Sequence, residues 1–170
     1  MFRSGEFVAD VLGVHDEAQI QPNGVDLRVD TIFEQQTPGR LSKEGTEIGD
    51  RTEVDPERVV PDGTDPGDAE SSGVDIYTLD RGGYIVQYED PVTIPEEHIG
   101  FVLPRSSLMR NSCMLNTAVW DAGYSGRGEG LLQVHHPVEI ERGARIAQLV
   151  FAEADHEGLY DGSFQGERLD

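Results

Sequence analysis

Five short apolar runs fix what this chain can fold into. They are Tyr84-Ile85-Val86-Gln87-Tyr88, Val92-Thr93-Ile94, Ile99-Gly100-Phe101-Val102-Leu103, Leu131-Leu132-Gln133-Val134 and Ile146-Ala147-Gln148-Leu149-Val150-Phe151. Each has strand length, and turns such as Arg81-Gly82-Gly83 and Glu141-Arg142-Gly143 separate them. Upstream, Val25-Asp26-Leu27-Arg28-Val29 alternates apolar and polar residues, so it predicts a strand entered through a Pro22-Asn23-Gly24 turn. Many short strands with little helix must bury their apolar faces against one another, which predicts an all-β sandwich or barrel. Residues 4–13 predict one minor helix, with Ser4 as N-cap, Phe7, Val8, Val11 and Leu12 as its apolar stripe, and Gly13 as its stop.

The 170 residues suit one domain, 1–170. Within it, 36–73 is an acidic Pro/Gly-rich excursion carrying Pro38, Pro56, Pro61 and Pro66, with no apolar period. Such a stretch predicts short edge strands or a mobile loop, not a second core. The tail, 158–170, is glycine-rich, holds aromatics and has no periodicity.

The formal charge is −20, with 33 acidic against 13 basic residues, and Lys43 is the sole lysine. That balance argues against binding of duplex nucleic acid through its backbone, which needs a basic footprint, so no nucleic-acid partner is expected. A local anion site remains open, because a few arginines and backbone N–H groups suffice. An acidic, nearly lysine-free surface keeps a protein dispersed when salt shrinks the Debye length to about 3 Å at 1 M. A salt-adapted cytoplasm is the expected setting. Met1-Phe2-Arg3-Ser4 leads into no apolar run long enough for a signal peptide or membrane span. Cys113 is alone, which excludes an internal disulfide and a thiolate metal cluster and suggests a small core residue.

The chemistry concentrates in 104–126. Arg105-Ser106-Ser107 offers a forked cation, two hydroxyls and helix-start N–H groups, a set that suits phosphate; serine there is equally an ordinary helix cap. Arg110, one turn on, joins that face or is a plain surface residue. Asp121 and Tyr124 share a glycine-flanked turn, where a carboxylate can deprotonate a water and a ring can lie against a sugar or base. The alternative is an Asx-turn aspartate beside a packed tyrosine. His135-His136 cannot chelate one ion, because neighbours on a strand point to opposite faces. Asp26 is either a ligand or a hydrogen-bonded turn acid.

The order of these motifs resembles the superfamily of trimeric dUTPases and dCTP deaminases. Gln21-Pro-Asn-Gly-Val-Asp-Leu27 is similar to its first motif, Pro104-Arg-Ser-Ser-Leu108 to the second, Asp121-Ala-Gly-Tyr-Ser-Gly126 to the third, and Arg142-Gly-Ala-Arg-Ile-Ala-Gln-Leu149 to the fourth. Tyr160-Asp-Gly-Ser-Phe-Gln-Gly166 resembles the flexible closing arm, in a form nearer the deaminases, and the style is that of the archaeal, haloarchaeal branch. The resemblance implies a distorted β-barrel, jelly-roll-like dUTPase fold with minor helices, assembled as a homotrimer with active sites at subunit interfaces. It implies Asp121 as the base that activates water and Tyr124 as the support of the deoxyribose. Arg105, Ser106, Ser107 and Gln148, joined by Arg110, would hold phosphates. The segment near Asn116 would read uracil, and Phe164 and Gln165 would close over the nucleotide. Mg²⁺ would be carried mainly by the triphosphate, with few or no direct protein ligands. In such trimers the Arg-Ser-Ser segment of one subunit faces the Asp/Tyr hairpin of a neighbour.

Within the superfamily, deamination requires a glutamate in the strand after the third motif. The best-matching position here is Gln133, whose amide cannot exchange protons as a carboxylate does. The register is offset, since Gly126-Arg-Gly-Glu-Gly130 adds about two residues to the deaminase pattern, and the nearby Glu129 could substitute. The expected activity is therefore hydrolysis of dUTP to dUMP and diphosphate. The alternatives are a dCTP deaminase or bifunctional enzyme, a hydrolase for another deoxynucleotide, and a non-catalytic regulatory trimer.

Overall fold

A computed structural model describes residues 1–60 and 72–169. The part of the excursion between them lies outside the described residues. Helix α1 (Gly5–Leu12) starts where the Ser4 hydroxyl accepts a hydrogen bond from Phe7 N, and stops at Gly13 in the left-handed region, φ 68°. Strands β1 (Ile20–Gln21) and β2 (Gly24–Gln35) then form a hairpin across Pro22-Asn23. Four short strands follow in the excursion: β3 (Arg40–Leu41), β4 (Thr46–Glu47), β5 (Arg51–Glu53) and β6 (Glu57–Val59). The rest holds β7 (Val74–Leu79), β8 (Gly82–Tyr88), β9 (Val92–Thr93), β10 (His98–Pro104), α2 (Ser106–Arg110), β11 (Cys113–Asn116), β12 (Ser125–Gly126), β13 (Glu129–Val134), β14 (Val138–Glu141) and β15 (Arg145–Glu153).

The main sheet runs β10-β15-β2-β8-β13-β11, with β1 and β5 pairing onto β2. Its ends approach each other, and the Thr117 hydroxyl just past β11 donates to Val102 O on β10. The fold is thus all-β, a distorted and nearly closed barrel with short helices at its rim. Strand β2 is the seam, because it pairs with β15 along its first half and with β8 along its second. Both ladders shift register, at Arg145/Ala147 and at Val29/Thr31, and such irregularities sharpen the local twist that lets a sheet curl. Val25, Leu27, Val29, Ile32, Tyr88, Leu149 and Phe151 are fully buried between the faces. Each such side chain contributes about 1.5–3 kcal/mol by leaving water. Cys113 lies in the same core, where burial pushes its thiol pKa up.

Two expectations need extension. The first strand runs to Gln35, well past Val29, because Ile32 continues its buried face beyond the register shift at Val29/Thr31, where strict alternation stops. Strands β7 and β14 pair with each other in a separate three-stranded sheet, which the run pattern alone did not single out. Among the described residues, no helix is long and apolar enough to cross a membrane.

Candidate active site

The turn after Trp120 is held from both sides. Trp120 pairs with Gly100 of β10 through two backbone hydrogen bonds, Gly100 N to Trp120 O at 2.8 Å and Trp120 N to Gly100 O at 3.1 Å. The turn then closes when Tyr124 N donates to the main-chain oxygen of Asp121 at 3.1 Å, with Gly123 at φ 82°. The Asp121 carboxylate takes no part. It is exposed and has no hydrogen-bond or ion-pair partner among the described residues. An Asx-turn would occupy that side chain, so the structural alternative left open by the sequence does not apply here.

Tyr124 is wedged between two rings in edge-on contacts, Trp120 at 5.4 Å and Tyr160 at 5.6 Å between centroids. Burial, and secondarily the Glu167 charge, push its phenol up to about 12, so it stays neutral at any physiological pH. Gly126 and Gly128 make room for this stack, since a Cβ at Gly126 would come within 2.7 Å of the Tyr124 hydroxyl and one at Gly128 would overlap the Trp120 ring.

These residues line a cleft of about 410 Å³, within the range of small-molecule sites. Trp120, Asp121 and Tyr124 form one wall, Glu129 of β13 the floor, and Tyr160, Phe164 and Glu167 of the tail another side. Ile48 and Arg51 of the excursion complete it. The tail folds back onto its own chain. Tyr160 N donates to Ala122 O at 2.8 Å and Gly166 N to Ser125 O at 2.8 Å. Gln165 clasps the Asp121 turn, donating through Nε2 to Gly123 O at 3.0 Å and accepting at Oε1 from Ser125 N at 3.1 Å.

The second cluster lies elsewhere. Asp26 is fully buried on β2, between the guanidiniums of Arg105 at 3.2 Å and Arg145 at 3.3 Å. Desolvation raises its pKa, and the two arginines pull it back. Arg145 also donates to Ala18 O, and the Gln148 amide lies over Gly24. Arg105 occupies the N-cap position of α2 without a side-chain cap bond. The Ser106 and Ser107 hydroxyls have no hydrogen-bond partner among the described residues, so neither serves as a helix cap. Arg110 is exposed on the same short helix.

Asp121, Tyr124 and Phe164 thus share the cleft, and Gln165 braces it. Arg105, Ser106, Ser107, Arg110 and Gln148 do not line it. Asn116 sits in an adjoining shallow depression that also meets Ala118 and Glu129. Its Nδ2 donates to Gln133 Oε1 at 3.1 Å. Gln133 itself is exposed outside the cleft, and Glu129, four residues earlier, is the side chain of this strand that enters it. Among the residues the sequence did not single out, Trp120 had a legible signal, being the sole tryptophan and adjoining Asp121. Arg51 and Ile48 had none, because nothing local ties an acidic excursion to a turn some seventy residues on.

A dCTP deaminase-like family model matches residues 2–154. The chain is 55% identical over 170 residues to a probable deoxyuridine 5'-triphosphate nucleotidohydrolase of Halobacterium salinarum, spanning 100% of this chain and 97% of that protein. It is 40% identical over 154 residues to the deoxyuridine 5'-triphosphate nucleotidohydrolase of Methanocaldococcus jannaschii, covering 89% of this chain and 90% of the relative. Among solved structures, 2'-deoxycytidine 5'-triphosphate deaminase from Agrobacterium tumefaciens superposes with TM-score 0.61 at 19% identity, over 90% of this chain and 48% of that chain, a likeness of fold.

Proposed function

The chain belongs to the dCTP deaminase-like family, and from that premise we propose that it is a dUTP diphosphatase, hydrolysing dUTP to dUMP and diphosphate. The observation that carries the reading is the unpartnered Asp121 carboxylate beside a neutral, packed Tyr124 in a cleft of nucleotide size. Asp121 takes a proton from a water lying in line with the α-phosphorus as that water attacks and diphosphate departs. Tyr124 lies under the deoxyribose, where its ring leaves no room for a 2′-hydroxyl. The strand end at Asn116 reads the uracil edge, and Phe164 and Gln165 hold the arm closed over it. Arg105, Ser106, Ser107, Arg110 and Gln148 hold the phosphates, supplied by the neighbouring subunit of a homotrimer.

Among the described residues, no group of three or more His, Cys, Asp or Glu side chains is placed to hold a metal ion. The donor set suits Mg²⁺ carried on the triphosphate, since that ion keeps its waters and binds through phosphate oxygens with few protein ligands. Bound there, it would neutralise charge on the phosphates. The charge of −20 supports a salt-adapted cytoplasmic setting for this enzyme.

Incubation of purified protein with dUTP and dCTP side by side, reading diphosphate and ammonia, tests the proposal. Diphosphate release from dUTP without ammonia from dCTP is expected. No turnover of dUTP would overturn the reading. Ammonia from dCTP would give Glu129, the carboxylate in the cleft floor, the role of proton shuttle instead.

A further inference from the structure

The excursion reaches the cleft through one side chain. Strand β5 is pinned to β2 in the register Phe33↔Glu53, Glu34↔Thr52 and Gln35↔Arg51, and Val54 N donates to Ile32 O at 2.8 Å. From there Arg51 crosses to Glu129, Nη1 to Oε2 at 2.6 Å, with both side chains largely buried. The other Glu129 oxygen lies 3.0 Å from Arg168 of the tail. Arg168 is itself placed by a 2.7 Å hydrogen bond to Gln87 Oε1 and by the Phe33 ring beneath its guanidinium. The network draws on five regions of the sequence and meets at one carboxylate.

Its electrostatic consequence is specific. Three carboxylates, Asp121, Glu129 and Glu167, line a cleft meant for a polyanion. Like charges at such range in a partly desolvated site oppose binding, and Glu129 is the one that two cations cancel. Arg51 Nε and Glu129 Oε1 are buried without a hydrogen-bond partner among the described residues, so Arg168 meets Glu129 Oε1 as an ion pair. Resting on the reading of this cleft as the nucleotide site, we propose that the excursion exists in part to supply Arg51. It acts as a positioning residue that holds Glu129 neutralised and turned to the floor, where Arg168 of the arm can dock on it.

Steady-state kinetics on the full chain test this with Arg51→Gln, Arg51→Lys, and the double variant Arg51→Gln/Glu129→Gln, alongside thermal melts. Arg51→Gln leaves Glu129 short of one counter-charge and should raise KM for dUTP about tenfold, with kcat moving much less. Removing both charges should bring KM back to within about threefold of the wild type, since no carboxylate remains to be cancelled. Arg51→Lys, which keeps charge but loses the planar fork, should fall between wild type and Arg51→Gln. A double variant no better than Arg51→Gln, an Arg51→Lys equal to Arg51→Gln, or an unchanged KM in Arg51→Gln would each overturn the inference. Should Arg51→Gln fail to fold, the lysine and double variants carry the same comparison against wild type. Absence of dUTP turnover in the wild-type protein would overturn the reading of the cleft as well; normal wild-type turnover separates the two.

Discussion

Gly128 is the position where one methyl group tests the cleft wall. Its Cβ would overlap the Trp120 ring, and neither side has room to yield. Tyr124 and Tyr88 pack against the ring, with centroids at 5.4 Å and 6.1 Å, and Gly128 O is fixed by Tyr88 N at 3.1 Å. Overpacking of this kind costs about 1–3 kcal/mol. The φ of Gly128 is not positive, so alanine also restricts the unfolded chain, a gain of about 0.4–1 kcal/mol that offsets part of the loss. Gly128→Ala should therefore destabilise by about 1–2 kcal/mol, which for a chain of this size lowers Tm by about 2–8 °C. Trp120 is the sole tryptophan, so its emission reports on the cleft itself. Thermal melts followed by that emission should show the lowered Tm together with a native-state spectral change as the ring is displaced. Gly45→Ala is the control, since a Cβ there meets nothing within 4 Å. If Gly128→Ala melts with Gly45→Ala and leaves the emission unchanged, the packing argument for this wall is wrong.

Other perturbations read other parts of the molecule. Asp121→Asn should cut dUTP turnover by about 10²–10⁴-fold while nucleotide still quenches Trp120 emission; full turnover would remove Asp121 from the base role. Asp26→Ala leaves Arg105 and Arg145 without their shared counter-charge; with those side chains 30% and 33% exposed, water softens the loss to about 1–3 kcal/mol, readable by urea titration. Tyr124 is held protonated up to about pH 12 in the folded state against about 10 in the unfolded chain. The unfolded chain thus releases that proton first as pH rises, so the stability it contributes is intact below about pH 10 and is lost between about 10 and 12. Absorbance at 295 nm should show Tyr124 ionising only as the protein unfolds.

The β class was legible because strand-length apolar runs with glycine punctuation admit few other architectures. Helix α1 was legible for a local reason as well, with Ser4 and Gly13 marking its two ends. Strands β7 and β14 were harder. Val74-Asp75-Ile76-Tyr77-Thr78-Leu79 abuts an acidic excursion, and Val138–Glu141 carries two glutamates; each becomes a strand by pairing with the other across the fold. The same distinction governs the site. Asp121 and Tyr124 lie in one turn and could be read as a unit. Arg51, Glu129 and Arg168 meet only because β5 and β13 flank β2 and β8 and the tail folds back, which no local pattern encodes. Gln133 and Glu129 lie four residues apart and share one face of β13; only Glu129, at the start of the strand, lines the cleft, while Gln133 meets Asn116 outside it, a difference of position along the strand that spacing alone does not show.

The separation of the two clusters bears on assembly. Trp120, just before Asp121, is bridged to Gly100 near the start of β10, whereas Arg105 follows Pro104 at its end. At about 3.3 Å per residue, the five-residue step from Gly100 to Arg105 places the two about 17 Å apart along β10. Arg105 then reaches farther away, over β15 to Asp26 on β2. The Asp121 carboxylate and Arg105, the cation proposed to hold phosphate, therefore face different places in one chain, as two halves of a site completed between neighbours would. This makes complementation decisive. Asp121→Asn and Arg105→Ala should each be inactive alone. If they are mixed in equal amounts, unfolded and reassembled together, chance pairing gives an intact Asp121 facing an intact Arg105 at about a quarter of the interfaces of a cyclic oligomer, and about a quarter of wild-type activity should return. Were both groups to act within one chain, no mixture would contain an intact site, and the reassembled sample would stay inactive.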